Sequence, residues 1–163
     1  MTATARSLLR VVCMALTLGT LASCSSTCKG PGGAISKVKI YTVDPTQRLK
    51  AGDPSIHFER SYHLYGAYTM ADQVERSGQY YTVMWKANDR TQPLTVRFEY
   101  RQRDTGLKVN VKEEQVSDVN RSNVTRFQVT GDEFRSNGPV TAWRASLVRG
   151  KEQLVVADSF LWN

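Results

Sequence analysis

A chain of 163 residues with 22 Lys and Arg against 15 Asp and Glu, a net charge of +7, is long enough to bury one core and too short for several. Its basic residues are scattered rather than blocked, which argues against a nucleic-acid partner. No apolar run approaches the roughly 20 residues that a membrane-crossing helix needs.

The first element is a secretory signal over residues 1–23. Arg6 and Arg10 precede an apolar stretch from Val11 to Leu21, and Ala22 and Ser23 are small residues of the kind that precede a cleavage site. Leu21-Ala22-Ser23-Cys24 resembles the lipobox of bacterial lipoproteins. The resemblance implies cleavage before Cys24, acylation of that cysteine and attachment to a membrane of the bacterial cell envelope. Ser25, in place of Asp, implies sorting to the outer membrane. At about 0.8 kcal/mol per buried methylene, two or three acyl chains anchor a protein stably. Without Arg6 and Arg10 the balance is 20 basic against 15 acidic residues, a net +5. Cys13 leaves with the signal and Cys24 carries lipid, so Cys28 is the one remaining thiol and no intramolecular disulfide is expected. With only Lys29 beside it, Cys28 reads as an inert tether residue.

Residues 24–33 form the expected tether. Ser25 to Gly33 is rich in Ser and Gly and reads as a flexible linker, whose nine residues reach at most about 30 Å. The domain, residues 34–163, then sits close to its membrane.

From Ala34 onward β-branched and aromatic residues alternate with polar ones between turn residues, the pattern of an antiparallel β protein of about eight strands. Ile35 to Val43 alternates imperfectly. Ile56 to Tyr68 reads as a long strand with a bulge or kink near Gly66, and Thr69-Met70-Ala71-Asp72 caps a short helix ending before Gly78. Tyr80 to Ala87 places Tyr81, Val83 and Trp85 on one face; Leu94 to Gln102 places Leu94, Val96, Phe98 and Tyr100 on one face. Leu107 to Gln115 follows through a four-residue loop, a register that sets Arg101 opposite Lys108 and Arg97 opposite Lys112. Thr125 to Thr130 comes next. Val140 to Val148 and Leu154 to Trp162 then form a hairpin through Gly150-Lys151, with Leu147 opposite Leu154, Ala145 opposite Val156 and Trp143 opposite Asp158. Tyr62, Tyr81, Trp85, Phe98, Tyr100, Trp143, Phe160 and Trp162 are assigned to the core, Tyr65 and Tyr80 to the surface.

With Trp85 on the third strand, residues 34–163 resemble an all-β, antiparallel immunoglobulin-like or fibronectin-type β-sandwich; an eight-stranded lipocalin-like barrel is the alternative. On a strand His57, Glu59, Ser61 and His63 share an outward face, with the imidazoles about 20 Å apart, too far for one metal. No Gly-x-Ser-x-Gly elbow or activated nucleophile is present, so neither catalysis nor a cofactor is expected. Arg97, Arg101, Lys108 and Lys112 form a candidate patch for an anionic partner, with a solvated or edge-guarding face as the alternative. The expected protein is a lipid-anchored binding, scaffolding or assembly module whose partners are the membrane and another envelope protein or anionic surface. A barrel carrier of an apolar ligand is the competing reading.

Overall fold

The computed structural model describes residues 27–46 and 54–162; the signal, Cys24 and the residues up to Ser26 lie outside them. Eight strands, β1 (Cys28–Gly30), β2 (Gly33–Val43), β3 (Gly78–Ala87), β4 (Leu94–Gln102), β5 (Asn110–Val116), β6 (Asn123–Thr130), β7 (Val140–Arg149) and β8 (Glu152–Asp158), are joined by helices α1 (Pro54–His63), α2 (Met70–Glu75) and α3 (Gly131–Asn137). They form two antiparallel sheets, β1-β2-β3-β6 and β5-β4-β7-β8. Among the described residues no ladder joins the two sheets, so the fold is an open sandwich and not the closed barrel held as its alternative. Leaving β1 aside, three strands facing four in this order is the wiring of a fibronectin-type sandwich.

Period-two alternation builds the core. Tyr81, Val83 and Trp85 of β3 and Phe127 and Val129 of β6 face Leu94, Val96, Phe98 and Tyr100 of β4 and Ala145 and Leu147 of β7. Phe98 lies 4.6 Å from Tyr81, 5.3 Å from Phe127 and 5.5 Å from Tyr100 between ring centroids. Trp85 is fully buried and donates its indole N–H to Thr125 Oγ1 at 3.1 Å. At the α3 end of the sandwich the buried Gln102 donates to the carbonyls of Gly138 (2.9 Å) and Glu133 (3.2 Å) and accepts from Asn110 (3.2 Å).

Several expectations change. Residues 28–33, assigned to the tether, form a hairpin of the sheet: Cys28 pairs with Ile35 and Gly30 with Gly33, with Pro31 and Gly32 as the turn. The glycines there serve close packing, since a Cβ on Gly30 would collide with the Leu154 carbonyl. Ile56 to Tyr68 is not a strand. Pro54 opens α1 at its first position, and Gly66 at φ +80° lies in the turn beyond its last residue. The spacing of Ile56, Glu59, Arg60 and His63 turns one helical stripe toward the sheet; apolar residues two and four apart satisfied either period, and Pro54 decides. Tyr62 is therefore a surface residue, and Phe160, in the turn beyond the end of β8, is 97% exposed. The short helix keeps its cap, with Thr69 accepting from the Asp72 N–H and Asp72 from the Thr69 N–H, both at 3.1 Å.

The two hairpin registers differ by one residue each. A 3-10 turn at Arg103–Thr105 delays β5 to Asn110, so Phe98 pairs with Lys112 and Arg97 with Glu113. The shift replaces like charges by opposite ones: Arg97 Nε meets Glu113 at 2.6 Å. In the last hairpin Gly150 at φ +61° makes the expected tight turn and Arg149 pairs with Glu152. A bulge between Leu147 and Val148 then moves the register, setting Leu147 against Val155, Ala145 against Ala157 and Arg144 against Asp158.

Truncating Phe98, which joins both sheets, removes a fully buried ring with no room for collapse. Phe98→Ala is expected to cost about 3–5 kcal/mol in urea unfolding. A cost below about 1 kcal/mol would contradict this core.

Candidate functional site

The outer face of the β2–β3–β6 sheet follows from the same alternation that fills the core. Across the three strands it reads Tyr41, Tyr80, Gln128 in one row, Lys39, Thr82, Arg126 in the next and Lys37, Met84, Val124 in the third. The strands of this sheet, β1 included, carry five basic residues, Lys29, Lys37, Lys39, Lys86 and Arg126, and no acidic one. Strands β4, β5, β7 and β8 carry five basic and five acidic residues. The strand charge is thus segregated onto one sheet.

Helix α1 lies across this face. The Tyr41 hydroxyl donates to the Ile56 carbonyl at 3.0 Å, and Arg60 donates to the Pro45 carbonyl at 2.9 Å. His63 fits between two tyrosines, stacked 3.8 Å from the Tyr80 ring and 5.5 Å from Tyr41, with Glu59 at 3.6 Å. Burial lowers its pKa below the ordinary histidine value; Glu59 opposes that shift and Arg126 adds to it. Burial likewise raises the Tyr41 and Tyr80 phenols. The helix and sheet enclose an open groove of ≈ 430 Å³ beside Lys37, Lys39, Glu59 and His63, and on the other flank of α1 a depression of ≈ 340 Å³. Lys39, Phe58, Tyr62, Met84, Val124 and Arg126 line the second.

The outward stripe of α1 is aromatic. Phe58 and Tyr62, one turn apart and 6.4 Å between centroids, are 68% and 56% exposed, and Tyr65 and Tyr68 continue the exposed surface. Exposed aromatics gathered with apolar neighbours mark an interaction surface rather than a solubilising one.

The four basic residues singled out on the β4–β5 hairpin do not come together. Arg97 is paired with Glu113. Arg101 packs on the Trp162 ring at 4.6 Å and donates to its carbonyl at 3.1 Å, while Arg144 approaches the same ring at 5.0 Å. Lys112 turns inward: its ammonium is 2.8 Å from Glu133, donates to the Gln128 carbonyl at 2.6 Å and lies 5.7 Å from the Tyr100 centroid. Glu133 also accepts from the Tyr100 hydroxyl, and burial with that contact raises the phenol's pKa. These groups staple β5 to β6. Lys108 alone of the four stays exposed in the loop before β5. Cys24 lies outside the described residues, and Cys28 is a partly buried free thiol in β1.

Lys37, Lys39 and Arg126 were readable as outward residues of alternating segments. The pairing that gathers them, and the helix that adds Phe58 and Tyr62, were not. His57 is exposed on α1, and among the described residues no three His, Cys, Asp or Glu side chains cluster as a metal site. The chain matches no family model, and no curated protein or solved structure is significantly similar to it.

The partly buried imidazole makes the seat of α1 sensitive to acid. His63 in the unfolded chain binds a proton near pH ~6.5 and in the folded chain only at lower pH, so its stabilising contribution is complete above about pH 7.5 and falls as pH drops through that window. Between about pH 7.5 and 5.5 the wild type is expected to lose more thermal stability than His63→Gln. Parallel profiles would contradict the stacked neutral imidazole.

Proposed function

We propose that this protein is a lipid-anchored, non-catalytic binding and assembly module of the bacterial cell envelope, seated on the outer membrane through Cys24. The observation that carries the reading is the spacing of Leu21-Ala22-Ser23-Cys24 from the fold: the first strand begins at Cys28, four residues after the cysteine to be acylated. Four residues extend to at most about 14 Å, less than half the reach expected when the whole of residues 25–33 counted as linker. A domain held this closely works at the membrane surface. A rigid sandwich with an aromatic, basic outer face supplies such a module with a contact surface for a partner, an anionic surface or another envelope protein.

Replacing the lipid-bearing residue tests this directly. Cys24→Ala is expected to abolish acylation and, since no alternative anchor is proposed, to leave a chain that no longer labels with radioactive palmitate. Palmitate labelling of Cys24→Ala at the wild-type level would contradict the reading.

A further inference from the structure

We infer that the outer face of the β2–β3–β6 sheet, together with the Phe58–Tyr62 stripe of α1, docks on the anionic phospholipid headgroups of the leaflet that holds the anchor. The choice of leaflet rests on the proposed acylation of Cys24; the chemistry of the face does not.

Three observations converge on that occupant. The first is charge. Strands β1, β2, β3 and β6 carry Lys29, Lys37, Lys39, Lys86 and Arg126 with no acidic residue, whereas the opposite sheet is balanced. Arg97, Arg149, Arg144 and Lys112 on that opposite sheet all have carboxylate partners, and among the described residues Lys37, Lys39 and Arg126 have none. The one carboxylate that α1 brings to the depression, Glu59, faces His63. An extended anionic surface is complementary to such a face.

The second is the placing of apolar groups among the cations. Phe58, Tyr62, Met84 and Val124 share one open depression with Lys39 and Arg126. Phe58, Tyr62 and Val124 remain 68%, 56% and 44% exposed. Aromatic rings beside Lys and Arg suit the boundary between headgroups and acyl chains, where the ring leaves water while the cation stays among phosphates.

The third is where the chain enters the domain. β1 runs antiparallel to β2 with Cys28 opposite Ile35 and Gly30 opposite Gly33, so the chain arrives at Cys28 from the side of Lys37. With at most about 14 Å between Cys24 and Cys28, the membrane lies at the edge of the sheet that bears Lys37 and Lys39. Docking on this face leaves the charge-balanced sheet, with Trp162 clamped by Arg101 and Arg144, turned toward a partner.

The test uses the unacylated chain 25–163, which contains every described element, and sedimentation with vesicles of phosphatidylcholine alone or with one-third phosphatidylglycerol. Binding is expected to the anionic vesicles only and to fade as salt shortens the screening length to about 8 Å at 0.15 M. Lys39→Gln with Arg126→Gln is expected to weaken it roughly 25-fold, about fivefold per cation. Phe58→Ser with Tyr62→Ser should weaken binding without altering its salt dependence, while Lys108→Gln with Lys151→Gln, which removes the same charge elsewhere, should stay within about twofold of wild type. Circular dichroism establishes that each variant is folded. No binding at low salt, equal binding to both vesicles, or an equal loss in the Lys108 and Lys151 pair overturns the docking face. Palmitate labelling of the full chain reports the anchor separately: its absence overturns acylation while the vesicle result stands, and its presence with no vesicle binding overturns only the face.

Discussion

The contact of Phe98 with Tyr81 and Phe127 is the interaction on which the rest of the molecule depends. It joins the two sheets at their centre, with the Tyr81 ring of β3 and the Phe127 ring of β6 4.6 and 5.3 Å from Phe98 of β4 between centroids. Because the side-chain period of a strand is two, placing these residues inward also dictates what points outward. Tyr81 and Val83 in the core put Tyr80 and Thr82 on the outer face of the sheet, where α1 partly covers Tyr80; Phe127 puts Arg126 and Gln128 on the same face. The basic aromatic face is the obligatory reverse side of the core.

That face is then modified by a helix that makes few apolar contacts of its own. None of the residues of α1 is buried, and its seat is mostly polar and aromatic: a tyrosine hydroxyl on a carbonyl, an arginine on the Pro45 carbonyl, and an imidazole between two phenols. A helix held in this way costs little to loosen compared with the sandwich beneath it. Acid acts on the same seat through His63. The opposite sheet behaves differently: its cations are drawn into ion pairs with Glu113, Glu133, Asp158 and Asp89 or lie against Trp162, so its surface is internally compensated. One surface is internally paired; on the other, among the described residues, Lys37, Lys39 and Arg126 have no carboxylate partner and stand beside exposed rings.

Much of this architecture was legible in the residues. The strands over Tyr80 to Ala87, Leu94 to Gln102 and Thr125 to Thr130, the Thr69–Asp72 capping box and the Gly150 turn rest on local periodicity and local chemistry, and they stand as expected. What failed depends on non-local information. The Ile56 to Tyr68 segment carries apolar residues compatible with both periods, and Pro54 carried the decisive signal. The β4–β5 register was off by one residue because the 3-10 turn at Arg103–Thr105 lengthened the connection, and one residue sufficed to turn Lys112 from the outer face to Glu133. The anionic-partner patch drawn on that hairpin dissolved with it. The face that does collect cations draws on β2, β3 and β6, whose pairing spans most of the chain and leaves no local trace. Cys28 to Gly33 shows the same limit: its composition is that of a linker, while its glycines are needed where β1 packs against β8.

The proposed short lipid tether, holding this sandwich at a membrane, is tested most directly by the intact mass of the chain purified from membranes. The expected species is a polypeptide beginning at Cys24 with the added mass of two or three acyl chains. A chain beginning elsewhere, or one beginning at Cys24 without acyl mass, would contradict it.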